Sequence, residues 1–459
     1  MADADGSLKL GCEIVGSSGR LEVLPLEPGQ RTPGFGYMRW VIVALLFSGT
    51  AINYIDRLVM GILAPDLQKQ YHFDNIAYGK IQAAFALAYA FGQAAAGGWL
   101  DRVGARIGYT IALLAWSTVS MLHAVARTAT QFAVARVFLG ASESPCYPAA
   151  VKVIAEWLPR RERALAMGFV NAGCNVGMIL APGLVSWLAL AHGWQWAFIG
   201  TGALGFVWVL FWIPLYRRPH EHSRCSPAEL AHINSDASEP VNKVRWRTLF
   251  SYRQAWAFMI GKFLTDPIWW FYMTWLPKFL AQRHGLTLAN LVRPLTMAYV
   301  MAGVGSVIGG WLSSAMIHRG WSVNAARKTA LLITALGVMP IMLAAHVSSA
   351  WTAAALLGLA MAAHQGFSSN LYTLVSDLFP RSVCGSVAGL GGTFGYVGST
   401  IFSGLTGYIL FWAHQNYTVI FLIAGSAYLI AFAAIQLLAP RLEPVDSSDE
   451  PEAGAFAVS

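Results

Sequence analysis

Long apolar stretches separated by short polar breaks dominate this chain. Twelve such stretches stand out, at roughly 40–63, 78–100, 107–126, 129–151, 164–190, 196–216, 255–281, 295–317, 328–347, 350–375, 383–410 and 416–439. Each is near the ~20 residues that a helix needs to cross a bilayer. The longest polar interruption, 217–254, leaves six stretches on either side. Gly97-Gly98-Trp99-Leu100 closes the second stretch, and Gly309-Gly310-Trp311-Leu312 closes the eighth, 212 residues later. The pattern predicts an all-α integral membrane protein with 12 transmembrane helices in two pseudo-symmetric six-helix bundles, an architecture that transporters use. The expected organisation is a disordered tail over 1–39, bundles over 40–216 and 255–439, a central loop over 217–254 and an acidic tail over 440–459.

Composition strengthens the membrane reading. Charged residues make up only 12% of the chain, against about 25% in soluble domains. The net charge of +8 raises the possibility of a nucleic-acid partner, but its distribution argues against one. Of the 31 Lys and Arg, 22 fall in segments on the side of the N-terminus and 4 on the other. That asymmetry predicts cytoplasmic termini. Five scattered cysteines show no metal-ligand spacing and read as packing residues. No signal peptide, nucleophile elbow, metal triad or phosphate loop is present, so no metal, cofactor or enzymatic activity is expected.

Ionisable residues inside apolar stretches are costly and usually functional. Asn53-Tyr54-Ile55-Asp56-Arg57 interrupts the first stretch near its middle. Asp56 and Arg57 diverge by about 100° around a helix, so one can face a helix while the other faces a cavity. The fixed guanidinium fork makes Arg57 the first choice for an anionic substrate, with Tyr54 as a hydroxyl contact. Arg136 and Glu143 lie two turns apart on one side of span four. Glu143 beside an arginine suits proton loading, and a permanent Arg–Glu brace is the alternative. Lys262 and Asp266, four apart in span seven, are spaced to pair. The aromatic run containing Trp270, Tyr272 and Trp275 suits either a sugar-lining wall or an interfacial belt. His364, Gln365, Ser369 and Tyr372 form a polar run in span ten, suited to substrate hydroxyls or to joining helices.

Glycine, then Asp101-Arg102, then Gly104 and Arg106, between spans two and three, resembles the signature loop of the major facilitator superfamily. In that family the loop latches the halves by charge pairing in the outward-open state, which would make Asp101 and Arg102 gating residues. Together with Asn53–Arg57 and Arg136-Val137-Phe138-Leu139-Gly140-Ala141-Ser142-Glu143-Ser144-Pro145, the chain from about 38 to 439 resembles the anion:cation symporters of that superfamily. Asp266-Pro267, Trp275-Leu276-Pro277 and Ala363-His364-Gln365 most resemble bacterial hexuronate (galacturonate and glucuronate) transporters. The resemblance implies Asp56 and Glu143 as a protonatable pair and Arg57 as the substrate-carboxylate contact. It also implies Tyr54, Tyr89, Ser369 and Tyr372 as site-lining residues. Cys174 and Gly395 stand where some sugar-acid members carry glutamine and asparagine.

The expected protein is a monomeric, proton-coupled symporter of the bacterial inner membrane that imports a sugar-acid anion and uses H+ as coupling ion. The alternatives are transport of another organic anion (an aldonate, aldarate, aromatic or dicarboxylic acid) and a non-transporting sensor, for which the short tails leave no signalling domain.

Overall fold

The computed structural model describes residues 14–15, 21–22, 36–235, 249–379 and 381–443. Most of the tail expected to be disordered, and most of the acidic tail, lie outside those residues. Ile14–Val15 and Leu21–Glu22 form a two-residue antiparallel ladder. Among the described residues, everything else of regular structure is helical: α1 (Met38–Tyr71), α2 (Asn75–Val103), α3 (Ala105–Leu122), α4 (Ala129–Glu143), α5 (Cys146–Trp157), α6 (Arg160–His192), α7 (Trp194–Leu215), α8 (Pro227–Ile233), α9 (Arg253–His284), α10 (Leu288–His318), α11 (Val323–Val338), α12 (Ala350–Leu378), α13 (Arg381–Trp412) and α14 (Thr418–Leu438), with three short 3-10 turns. The fourth apolar stretch is two helices, because Pro145 has no N–H to continue α4 and the chain restarts at Cys146. Glu143 therefore stands at the end of a helix.

Side-chain caps fix several helix starts. Asp74 accepts from the Ala77 N–H at 2.8 Å and Thr128 from Gln131 at 3.2 Å. Gly104 turns the chain from α2 into α3 at φ +84°, a left-handed conformation that explains glycine in the signature motif. Asp101 and Arg102 sit on the last turn of α2 rather than in a loop, and Asp101 pairs with Lys152 of α5 at 2.8 Å.

The pairing of helices repeats. In the first half α1 packs on α6, α2 on α4 and α3 on α7; in the second, α9 packs on α13, α10 on α12 and α11 on α14. Counting α4–α5 as one span, these are spans one with five, two with four and three with six in each half. The two Gly-Gly-Trp-Leu copies have different surroundings: Gly309 abuts the Gly366 backbone of α12, whereas a Cβ on Gly97 would meet open space. Large apolar side chains such as Phe91, Leu210, Val307 and Leu437 are more than 70% exposed, a surface matched to lipid rather than water.

Between the halves, α2 meets α13, α1 meets α9 and α6 meets α10. At the Asn75 end the contact is backbone against backbone. A Cβ on Gly79 would lie 2.7 Å from Ser403 O and 3.1 Å from Gly407 Cα, and Gly407 abuts the Asn75 carbonyl. Lys278 of α9, fully buried, donates to Asn75 Oδ1, and Asn75 donates to Gln415 Oε1 at 2.8 Å. Tyr78 donates to the Thr274 carbonyl at 2.6 Å. Toward the Asp101 end the same helices part, and Gly97, Gly98, Gly385 and Gly389 have no neighbouring atoms where a Cβ would stand. The molecule is thus closed at the Asn75 end and open at the other.

The central loop is not wholly irregular. Ser226 caps α8, and Arg39 bridges Glu229 of α8 (3.4 Å) and Glu162 of α6 (3.0 Å), while His232 sits 2.8 Å from Glu162. Partial burial opposes the charge on Glu162, but the His232 and Arg39 hydrogen bonds outweigh it and hold its carboxyl below the usual range.

Two outcomes follow. Gly79→Val holds the Asn75 end apart, so Gln82→Cys, introduced after replacing the five native cysteines, gains labelling by an impermeant maleimide from that side. Because the Glu162 carboxyl is depressed on folding, its contribution is present at neutral pH and fades as pH falls through its lowered value. Hydrogen exchange over residues 226–235 should rise below about pH 4, and Glu162→Gln should raise it already at pH 7.

Candidate functional site

The charges inside the spans converge on one cluster. Arg57 Nε of α1 donates to Glu143 Oε2 of α4 at 2.6 Å, with both side chains buried. Asn53, one turn earlier on α1, faces the same carboxylate. Arg136, two turns before Glu143, donates to the Arg57 carbonyl at 3.4 Å and lies over the Phe85 ring at 5.4 Å. Asp56 turns the other way: its Oδ1 accepts from Ser120 of α3 at 3.0 Å, and Thr201 of α7 faces it. The divergence expected of sequence neighbours is therefore observed, although both side chains end up buried.

Aromatic rings surround Arg57. Its guanidinium lies 4.6 Å from the Tyr89 ring, 5.0 Å from Tyr54, 5.7 Å from Trp270 and 5.8 Å from Phe85. Tyr396 of α13 stacks on Tyr89 at 4.5 Å and touches Trp270 at 5.6 Å, so both halves contribute to the box. Ring faces attract a cation and exclude water without supplying a counter-charge. Among the described residues Glu143 is the carboxylate that pairs with Arg57, through Nε, and the Tyr89 hydroxyl also meets the guanidinium.

Asp56, Glu143, Arg57 and Arg136 together form a buried group of two acids and two bases, neutral when all are ionised. Such a group tolerates neither an added nor a removed charge without a large penalty, because desolvated ions need balance. A carboxylate that enters beside Arg57 adds one negative charge, and a proton on one of the acids removes it.

Of the other candidates, Tyr54, Tyr89 and Trp270 join Arg57 and several do not. Trp275 is buried at the closed end, 4.8 Å from the Tyr78 ring and 4.8 Å from Lys278 Nζ. Tyr272 is fully buried next to Phe271. His364 is stacked on Trp269 at 4.7 Å and bonded through Nδ1 to Tyr428 at 2.5 Å, which makes it a tie between α9, α12 and α14. The helical period carries successive residues of an aromatic run to different faces, so the run is not one wall. Gln365 and Ser369 are half-buried, with Ser369 donating to the Gln365 carbonyl at 2.9 Å, and Tyr372 lies against Lys262 at 4.6 Å. Phe85, Asn53, Ser120, Thr201 and Tyr396 were not anticipated. Tyr396 had a signal, as a lone tyrosine in the glycine-rich run 389–398. Among the described residues no group of three or more His, Cys, Asp or Glu is placed to hold a metal.

Removing one partner of the ion pair alone should be costly, because the other charge is left buried and unpaired. Arg57→Ala leaves Glu143 buried without its cation and should cost about 3–5 kcal/mol of stability. Adding Glu143→Gln should recover much of that loss, read as thermal unfolding of the purified protein in detergent.

Comparison with known proteins agrees with this architecture. The chain is 31% identical over 377 residues to the hexuronate transporter of Escherichia coli, covering 81% of this chain and 87% of the relative. It is 32% identical over 303 residues to the galacturonate transporter of Dickeya chrysanthemi, covering 65% and 87%, and 29% identical over 385 residues to a D-galactonate transporter of Escherichia coli, covering 81% and 87%. In fold it matches a bacterial homolog of the human lysosomal transporter Spinster (TM-score 0.69, 20% identity, 89% of this chain and 98% of that one) and a D-xylose–proton symporter (TM-score 0.69, 15% identity, 88% and 99%). The Major Facilitator Superfamily model matches residues 46–403. The chain belongs to the major facilitator superfamily and is a multi-pass membrane transporter, not an enzyme.

Proposed function

We propose that the protein is a proton-coupled symporter that imports a sugar-acid monoanion, such as galacturonate or glucuronate, by alternating access in a bacterial inner membrane. The observation that carries this reading is the neutral buried group around Arg57 and Glu143. One guanidinium serves two anions in turn: Glu143 when the site is empty and the substrate carboxylate when it is filled. Protonation of Glu143 weakens its hold on Arg57 Nε and offsets the incoming charge, so proton and substrate bind more readily together than separately. Asp56, anchored to Ser120 on the far side of α1, is the second protonatable carboxyl of the group. Tyr54, Tyr89, Trp270 and Tyr396 supply flat faces for a sugar ring.

The lysine and arginine asymmetry supports cytoplasmic termini. In that orientation the closed Asn75 end is external, the open Asp101 end is cytoplasmic, and the molecule faces inward. Asp101 then pairs with Lys152 of its own half, and its proposed latching role belongs to the opposite state. Likeness to a D-galactonate transporter keeps an aldonate as the second reading of the substrate.

Arg57→Lys should lower proton-driven uptake of galacturonate into vesicles at least tenfold with normal membrane insertion, because a point charge cannot replace the fork. Glu143→Gln should retain exchange of labelled for unlabelled galacturonate but lose accumulation driven by a proton gradient. Wild-type accumulation in either variant would overturn the assignment.

A further inference from the structure

A second ion pair lies beside the aromatic box, on the second half. Lys262 Nζ donates to Asp266 Oδ1 at 2.7 Å, one turn apart on α9, with side-chain exposures of 6% and 18%. The pair does not face lipid. The half-exposed Tyr372 ring of α12 lies 4.6 Å from Lys262 Nζ, and Tyr147 of α5, in the first half, is within electrostatic reach of both Tyr372 and Lys262. On its other flank Asp266 is packed against α13 at Gly395. A Cβ there would run into the Asp266 carboxylate and lie 2.9 Å from its Cγ, so the glycine makes the room that the acid occupies. The next residue, Tyr396, belongs to the Arg57 box. Trp270, also of that box, is one turn beyond Asp266, about 6 Å along the helix.

A ligand whose carboxylate lies on Arg57 and whose ring lies along Trp270 and Tyr396 would reach toward Lys262 and Asp266. The chemistry of that position is that of a neutral pair. An ammonium and a carboxylate together donate and accept, which suits hydroxyl groups that do both. A second carboxylate only accepts, and it would meet a lysine already neutralised and an acid of its own sign. We propose that Lys262 and Asp266 form a subsite for the hydroxyl-bearing end of the substrate, and that Asp266 restricts transport to polyhydroxy monocarboxylates by repelling dicarboxylates. This rests on Arg57 holding the first carboxylate.

The test is competition for labelled galacturonate uptake by galacturonate itself and by the dicarboxylate galactarate. Wild-type protein should be inhibited at least tenfold more weakly by galactarate. Asp266→Asn frees the lysine, so it should strengthen inhibition by galactarate about tenfold relative to galacturonate. Lys262→Gln should weaken both ligands without that gain. If Asp266→Asn does not fold, as judged by size-exclusion profile, Gly395→Ala displaces the carboxylate and should shift the ratio in the same direction. Equal inhibition of the wild type by both acids, or an unchanged ratio in the folded variant, overturns the subsite while leaving Arg57 in place. Failure of the wild type to take up or bind either acid overturns the Arg57 reading, and this one with it.

Discussion

Everything at the centre of this molecule depends on keeping four charges balanced away from water. Arg57, Arg136, Asp56 and Glu143 are all buried, and the 2.6 Å contact between Arg57 and Glu143 is the tightest tie among them. An isolated charge at that depth is prohibitive, whereas a balanced set is tolerable. In the proposed mechanism the same balance that lets the helices pack makes the site responsive, because a substrate anion would disturb it and a proton would restore it. Structural and functional demands therefore fall on the same side chains, and the aromatic box around Arg57 serves both by excluding water and presenting flat faces.

The second constraint is close approach between the halves. Glycines at 79 and 407 bring α2 and α13 together at one end, where Asn75, Tyr78, Lys278 and Gln415 link them by hydrogen bonds, while at the other end the helices diverge. These links involve neutral acceptors even for the buried lysine. Such contacts can be exchanged for water when the end opens, whereas an unpaired buried carboxylate would resist closure. The two halves share a scheme of helix pairing but differ in polar content: the first carries the neutral tetrad, and the second carries the Lys262–Asp266 pair and the His364–Tyr428 tie.

The twelve spans were legible from hydropathy because a bilayer demands a fixed length of apolar helix, whereas the break of the fourth span at Pro145 emerged only in the structure. Which ionisable residues lie within the spans was legible directly, and the cost of burying them made them the candidates for the site. Arg57 with Tyr54, Tyr89 and Trp270 did assemble in one place. Trp275 and His364 did not join them, because the face each residue presents depends on the rotation of its helix against neighbours that hydropathy does not specify.

Sequence alone determined the apolar spans, their charge asymmetry and the identity of the intramembrane ions, since these follow from local composition and solvent matching. Tertiary structure decided the partnerships. Glu143 pairs with Arg57, 86 positions away, rather than with Arg136 on its own helix. Asp266 fills the space left by Gly395, and Tyr396 completes a box begun on α1 and α2. Those pairings depend on how helices distant in sequence are rotated and brought to van der Waals contact, a property of the packed bundle and not of any one span.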